Sequence, residues 1–330
     1  MRDFEGPCYV APGLLYEGWS ELAKLLIEHA PGGLARAYRC VGGTEAVELA
    51  LQLAMTATGR HKIVALEEAY HGNSFGARSI VSGDAPARVQ GMKQLAPPLD
   101  AKALDRLETL VKHRDVAAFI MEPIVTNLGV MIPDTEFMRG VVELCHRYDT
   151  LVIMDEVGTA MGRCGRLYAS EVFGIEPDLL AMGKAIASGV APIATVLATE
   201  DVAKAVDGKL EFYSTFGWHP LAVEAAIATQ LYWRDHRDAM FSNIAERSAE
   251  LRQKLSTIEW AKEPELRIQG LAIGVGLGDK EYVSRVEERC REDGLLTFAE
   301  DDTLVMFPPL IVDAETVQEA VAIISDAAQH

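Results

Sequence analysis

Residues 151–189 read LVIMDEVGTAMGRCGRLYASEVFGIEPDLLAMGKAIASG. The apolar run Leu151–Met154 ends in Asp155, and a second run, Leu179–Met182, ends in Gly183-Lys184. Short, unbroken apolar runs of this kind fit strands buried on both faces. The acid and the lysine therefore fall at the C-terminal ends of two such strands, the edge at which open α/β sheets bind ligands. A lysine that can be desolvated and an aspartate that can face a ring nitrogen are the groups pyridoxal phosphate requires. The lysine forms the Schiff base, and the aspartate keeps the pyridinium protonated so that the ring accepts electrons. Neither residue decides the matter alone, because an acid pair after a buried strand is common and a single lysine is usually a solvated surface charge.

Working outward, short apolar runs alternate with amphipathic stretches between Cys40 and Val196. Strands are expected over Ile63–Leu66, Val116–Met121, Leu151–Met154, Leu179–Met182 and Ile193–Ala198. Helices are expected over Thr44–Thr58, Asp100–Lys112, Thr135–Tyr148 and Pro220–Trp233. That alternation predicts an α/β fold with a mostly parallel sheet covered on both faces. After Asp235 the pattern changes. A helix over Met240–Ile258 leads to a glycine-interrupted strand, Leu266–Leu277, then a charged helix, Lys280–Asp293. A short strand, Leu304–Phe307, the breaker Pro308-Pro309 and a last helix, Ala314–Ala328, close the chain. The expected division is a large cofactor-binding domain over residues 1–238 and a smaller C-terminal α+β domain over 239–330.

Composition narrows the function classes. Of the 330 residues 49% are hydrophobic and 24% charged, and the net charge is −18. Such an acidic surface argues against nucleic acid, whose phosphates need basic partners, and against docking on anionic lipid. The five cysteines are an odd number without a CxxC pair, which fits reduced thiols in a cytoplasmic protein. The start, MRDFEGPCYV, lacks a basic flank followed by an apolar core, so no signal peptide is expected. No uncharged apolar stretch is long enough to span a bilayer.

Further segments agree with the cofactor reading. In VGGTEAVELALQLAMTATGRHKI, Gly42-Gly43-Thr44 opens a helix whose free N–H groups and dipole suit an anion, with Thr44 a good N-cap. Standing alone, this would read as an ordinary glycine turn; beside a cofactor lysine, Gly43 and Thr44 are assigned to the phosphate. EEAYHGNSFG follows the Ile63–Leu66 strand, so Tyr70 and His71 also lie at the ligand edge. Together with IMEPIVTNLGV, DEVGTAMGRCG and EFYSTFGWHPLAVEAA, in this order and spacing, these segments resemble the class III aminotransferases, pyridoxal-phosphate enzymes of fold type I. The resemblance runs from about Glu21 to Ala328.

The resemblance implies a large domain with a seven-stranded, mostly parallel sheet, a small domain, and assembly as a homodimer or higher homo-oligomer. It implies that Lys184 carries pyridoxal 5′-phosphate and acts as the base, and that Asp155 faces the pyridine nitrogen. Tyr70 would stack on the ring, Val157 would pack against its face, and Glu122 would lie near its phenolic edge or pair with a substrate-binding arginine. Thr215 would reach the phosphate of the neighbouring subunit. His71 joins the cofactor-binding set, although a hydrogen-bonded structural role suits it better.

Four departures from the family pattern stand out. The glutamine that usually follows "DEV" is Gly158. The usual "GGN" is Gly217-Trp218-His219, which would put two large side chains near the phosphate or the site mouth. In GLLTFAEDDTLVMFPPL, Phe298 and Val305 occupy the places where many members carry an arginine for the substrate carboxylate, and the acidic Glu300, Asp301 and Asp302 follow nearby. Arg163 and Arg78 are the substitutes available from the large domain. Members of the family usually have several dozen residues before the point where this chain starts, which implies a more open site or one closed by another subunit.

The expected activity is transfer of an amino group between an amine or amino acid and a keto acid or aldehyde. Two rival readings are a non-transaminating enzyme on the same scaffold (epimerase, aminomutase, decarboxylase or lyase) and a non-catalytic paralogue. No metal is expected.

Overall fold

A computed structural model describes residues 6–81 and 89–329. The leader reading of the chain start falls partly on residues 1–5, outside the described residues. The first sheet has seven strands: β1 (Leu34–Cys40), β2 (Lys62–Leu66), β3 (Met92–Leu95), β4 (Val116–Met121), β5 (Leu151–Asp155), β6 (Leu179–Met182) and β7 (Ala194–Thr199), in the order β1-β7-β6-β5-β4-β2-β3. Pairing is parallel from β3 through β6, and β7 runs antiparallel to both of its neighbours. The carboxyl ends of β1, β2, β4, β5 and β6 consequently share one edge.

The apolar runs form strands because they are covered on both sides. All six residues of β4 are buried. Along β6, Leu179 and Ala181 enter one hydrophobic cluster while Leu180 and Met182 enter another, as the two-residue period of a strand demands. The first cluster includes buried side chains of α2 (Gly43–Thr58), α3 (Phe75–Val81), α4 (Ala101–Val111), α5 (Thr135–Arg147) and α7 (Glu200–Val206). The second joins α1 (Glu17–Ile27) and α8 (Pro220–Leu255). A short helix, α6 (Ser170–Phe173), lies between β5 and β6. Asp100 and Thr199 cap α4 and α7 by accepting from backbone N–H groups.

The C-terminal part carries a second, antiparallel sheet in the order β10-β11-β9-β8, built from β8 (Glu265–Gln269), β9 (Ala272–Gly276), β10 (Phe298–Glu300) and β11 (Thr303–Met306). Helices α9 (Lys280–Glu292) and α10 (Ala314–Ala327) accompany it. The expected single strand over Leu266–Leu277 is instead the β8–β9 hairpin. Gly270 makes its turn with φ +57, and a Cβ there would lie 2.5 Å from the Gly165 nitrogen, so glycine serves both the turn and the close approach.

The two helices expected over Pro220–Trp233 and Met240–Ile258 are one continuous helix, α8, of 36 residues. The intervening Arg234–Ala239 contains neither glycine nor proline, so nothing in it ends the hydrogen-bond ladder. The boundary drawn at residue 238 therefore falls inside α8. No helix among the described residues is long and apolar enough to cross a membrane.

Candidate active site

Five expected site segments meet at the shared carboxyl edge. Asp155 ends β5, is 4% exposed, and uses both of its oxygens. His71 Nδ1 lies 2.7 Å from Oδ2, and the Val157 backbone N–H donates to Oδ1 at 3.0 Å. His71 is buried with Asp155 and hydrogen-bonded to it. Its Nε2 is buried without a hydrogen-bond partner among the described residues.

Lys184 follows β6 at the start of a one-turn 3₁₀ helix, Lys184–Ala187, with an exposed side chain and a left-handed backbone, φ +42. Non-glycine residues adopt that region sparingly, at about 1–3 kcal/mol, and such residues cluster at functional sites. Gly43, Gly183 and Val157 pack into one floor. A Cβ on Gly43 would lie 2.7 Å from Val157 Cγ1, and one on Gly183 would lie 3.6 Å from the Gly43 nitrogen. At Gly43 this is a close approach that only glycine permits, whereas at Gly183 the contact would be an ordinary one.

Thr44 is not the N-cap of α2. Gly42 holds that position without a side-chain cap, and Thr44 is the second helical residue. Glu45 instead accepts from the Val41 N–H at 2.6 Å, drawing the preceding turn against the helix. Thr44 packs against the Tyr70 loop, since a Cβ on Gly72 would lie 2.5 Å from Thr44 Oγ1. An uncapped first turn on a helix of 16 residues offers N–H groups and a positive dipole end to an anion. Tyr70 stands half exposed above this group.

Glu122, directly after β4, is 5% exposed and accepts from Thr126 through Oγ1 at 2.6 Å and the backbone N–H at 3.2 Å. Burial, and after it the negative charge of Asp155, push its carboxyl up to about 7. Glu156, next to Asp155, is fully buried and accepts from Ala169 N, Ser170 N and Ser170 Oγ at 2.5, 2.8 and 2.6 Å, which fixes the start of α6. Burial likewise pushes its carboxyl up to about 7.

Thr215 is placed apart from this cluster. It is exposed in the turn before α8, and among the described residues its side chain makes no hydrogen bond to the other candidates. That turn sits on the end of β1, where a Cβ on Gly217 would lie 2.9 Å from the Arg39 carbonyl oxygen. The expectation for Trp218 is overturned. It is 2% exposed, and its indole N–H donates to the Ala194 carbonyl at 2.9 Å. Its own carbonyl accepts from Trp19 Nε1 at 2.7 Å, so it anchors the turn from beneath and takes no part in the mouth. A large apolar ring gains more by burial than by lining a wet opening. Its neighbour His219 is half-buried at the N-cap of α8, 6.3 Å ring to ring from Phe216.

The second sheet covers the loops after β4 and β5. Gln269 Nε2 donates to the Cys164 carbonyl at 2.9 Å, and Arg267 Nη2 donates to Thr303 Oγ1 at 2.7 Å beside Gly129. Phe298 and Val305 face each other across β10 and β11, with Phe298 exposed and Val305 buried. Arg163, a candidate substitute for the missing arginine, is committed elsewhere. Its Nη1 donates to the Leu271 and Pro308 carbonyls at 3.0 and 2.6 Å, and burial lowers its pKa. Arg78 is exposed on α3. Of the expected acidic run, Asp301 is paired with Lys280 at 3.1 Å.

One positioning residue escaped the sequence reading. Asn127 accepts from the Tyr70 N–H at 3.2 Å and donates to the Glu68 carbonyl at 2.8 Å, clamping the Tyr70 loop from the loop after β4. Its signal is only its place in TNLG, just beyond an acid that ends a strand.

A family model described as aminotransferase class III matches residues 8–328. The chain is 33% identical to acetylornithine aminotransferase of Methanopyrus kandleri, covering 94% of this chain and 79% of that protein. It is 35% identical to acetylornithine aminotransferase of Archaeoglobus fulgidus, covering 92% of this chain and 78% of that protein. Among solved structures, taurine:2-oxoglutarate aminotransferase from Bifidobacterium kashiwanohense, in complex with pyridoxal phosphate and glutamate, superposes with a TM-score of 0.90. That match has 26% identity and covers 98% of this chain and 81% of that one. The chain belongs to the class III aminotransferases. It is a pyridoxal-phosphate-dependent aminotransferase of fold type I. Nothing in these likenesses favours the epimerase, aminomutase, decarboxylase, lyase or non-catalytic readings. The residues present suit the cofactor, with an uncapped helix N-terminus for a phosphate, a valine wall, a buried aspartate and a lysine at one sheet edge.

Proposed function

We propose that this aminotransferase works through Lys184 and Asp155 and takes an amine, amino aldehyde or apolar amino acid in preference to a dicarboxylic amino acid. The convergence of Lys184, Asp155, Val157 and the uncapped start of α2 on one edge carries the reading. Pyridoxal phosphate supplies the carbonyl that receives the amino group and the ring that accepts electrons from the substrate carbon. Gly43 and Thr44 would hold its phosphate, Val157 and Tyr70 its two faces, and Asp155 its ring nitrogen. His71 holds Asp155 in place. The Lys184 amine would take the proton from the substrate carbon and return it on the far side of the transferred nitrogen. Glu122, without an arginine partner among the described residues, sits beside Lys184 as a buried acid.

The substrate preference rests on Phe298, Val305 and Arg163. A buried carboxylate needs a charge-assisted partner because leaving it unpaired is costly to desolvate. Here the paired positions on β10 and β11 are apolar, and the Arg163 Nη1 is occupied by two carbonyls. In single half-reactions with different donors, simple amines and apolar amino acids should exceed glutamate by at least about tenfold in kcat/KM, about 1.4 kcal/mol in barrier. Glutamate and 2-oxoglutarate emerging as the best pair for both halves would overturn this preference.

We further propose a cytoplasmic homodimer, with the large and small domains meeting along α8, near residue 238. Thr215 projects outward among the exposed side chains Tyr213, Phe216 and Leu221, on a turn held rigid by buried Trp218. Such a projection supports a phosphate contact made across a subunit boundary, and with it a large, obligate interface. Sedimentation of the holoenzyme should give a dimer or larger at working concentration. An active monomer would contradict both the assembly and the role of Thr215.

A further inference from the structure

The segment after β4 turns back on itself. Val125 and Met131 exchange backbone hydrogen bonds at 2.9 and 3.0 Å, and the Val130 N–H donates to the Thr126 carbonyl at 3.4 Å, closing a loop over residues 126–130. One side of the loop faces the cofactor edge. There Thr126 bonds Glu122, and Asn127 accepts from the Tyr70 N–H at 3.2 Å and donates to the Glu68 carbonyl at 2.8 Å. Glu68 has a left-handed backbone, φ +60, and its own N–H is held by the Val81 carbonyl at 3.3 Å. The Tyr70 ring is half exposed, and among the described residues its side chain makes no hydrogen bond or ring contact. Its place is therefore set through the backbone, whose N–H is bonded to Asn127.

The other side of the loop rests on the second sheet. Gly129 is left-handed, φ +62, and a Cβ there would lie 2.8 Å from Thr303 Oγ1 on β11 and 3.0 Å from Arg267 Nη2 on β8. A Cβ on Gly274 of β9 would collide with the Gly129 carbonyl oxygen, so the two backbones touch and only glycine fits. Gly274 is in register with Val305, which is in turn paired with Phe298. One short loop thus touches both the sheet expected to meet substrate and the residue expected to face the cofactor ring.

From this geometry we infer that the 126–130 loop is a bridge that sets Tyr70 over the cofactor ring from the second sheet, with Asn127 as its positioning residue. The inference rests on the reading of Tyr70 as the residue stacked on that ring. A working group must be held within about 0.5 Å by neighbours that are themselves locked in place. Asn127 meets that need because its amide is bonded at both ends, which fixes the direction of the clamp as well as its length. The glycine contacts at residues 129 and 274 give the clamp a backbone footing.

The test reads cofactor retention rather than turnover, as the dissociation constant of pyridoxal phosphate from the holoenzyme and the visible circular dichroism of the bound ring. Tyr70→Ala and Asn127→Ala should each weaken retention by up to about tenfold, the size of one aromatic stacking contact. Each should also reduce the circular dichroism. Adding Asn127→Ala to Tyr70→Ala should change neither reading further, because Asn127 acts through Tyr70. Gly274→Ala, which pushes the Gly129 carbonyl away, should weaken retention in wild type and leave it unchanged in Tyr70→Ala.

Equal losses from Asn127→Ala with and without Tyr70 would show a merely structural role and overturn the inference. Wild-type retention in Gly274→Ala would overturn it as well. Wild-type retention in Tyr70→Ala removes the stacking reading itself, so the two failures are distinguishable. Should Asn127→Ala fail to fold, Asn127→Asp carries the same arm, since it keeps an acceptor for the Tyr70 N–H but sets a carboxylate against the Glu68 carbonyl. Should Gly274→Ala fail to fold, Arg267→Met replaces it by removing the guanidinium beside Gly129.

Discussion

Lys184→Ala should fold, fail to retain the cofactor covalently, and lose turnover by on the order of 10⁴-fold or more, the upper range for a positioned general base. The side chain is exposed and the left-handed backbone at residue 184 is equally demanding for alanine, so thermal stability should change little. Borohydride reduction of the wild type should fix the cofactor to the peptide containing Lys184, and the variant should give no such peptide. A variant that still yields the label, or that keeps wild-type absorbance and turnover, would remove the lysine from its assigned role.

Asp155→Ala should lower turnover by about 10²–10³, the typical loss when a preorganised charge partner is removed from a developing charge. It differs from the lysine variant in also disturbing the fold locally. Both Asp155 oxygens are bonded within a buried site, so alanine strands His71 Nδ1 and the Val157 N–H without partners. Asp155→Asn separates the two effects by keeping an acceptor while losing the charge. Its unfolding midpoint should stay nearer to wild type than that of the alanine variant, with turnover still reduced. Full turnover of either variant at saturating cofactor would refute the assignment.

The strands that build the site were legible because they are buried on both faces. Val116–Met121 and Leu179–Met182 were read with the observed ends, and Leu151–Met154 fell one residue short, at Asp155. Strand β1, with sequence LARAYRC, escaped notice because it is only partly buried and carries two arginines. So did β3, where Leu95 alone is buried. β10 is three exposed residues, held only by its register with β11. Edge strands lack the hydrophobic run by which a sequence announces a strand.

The site divides along the same line. Residues at the ends of apolar runs, Glu122, Asp155 and Lys184, could be placed from pattern, and their neighbours Thr126 and Asn127 could not. Their importance depends on which loop arrives from another strand, and no periodicity encodes that. The misreading of Trp218 has a different origin. Its position in a resembling motif suggested the mouth, whereas its size and an available carbonyl at Ala194 take it into the core.

Helix α8 has a mechanical consequence. At about 1.5 Å per residue it is a rod of about 54 Å. Near one end, Gln230 Nε2 reaches the Ile186 carbonyl at 3.4 Å, in the turn that carries Lys184. Farther along, Asn243 donates to the Leu310 and Val312 carbonyls at 3.0 and 3.1 Å, and Arg252 to the Ile268 carbonyl at 2.8 Å. A stiff shaft thus joins the lysine's turn to the sheet bearing Phe298 and Val305. Along the shaft no loop interrupts the helix, so the lysine's turn and that sheet are braced against one rod.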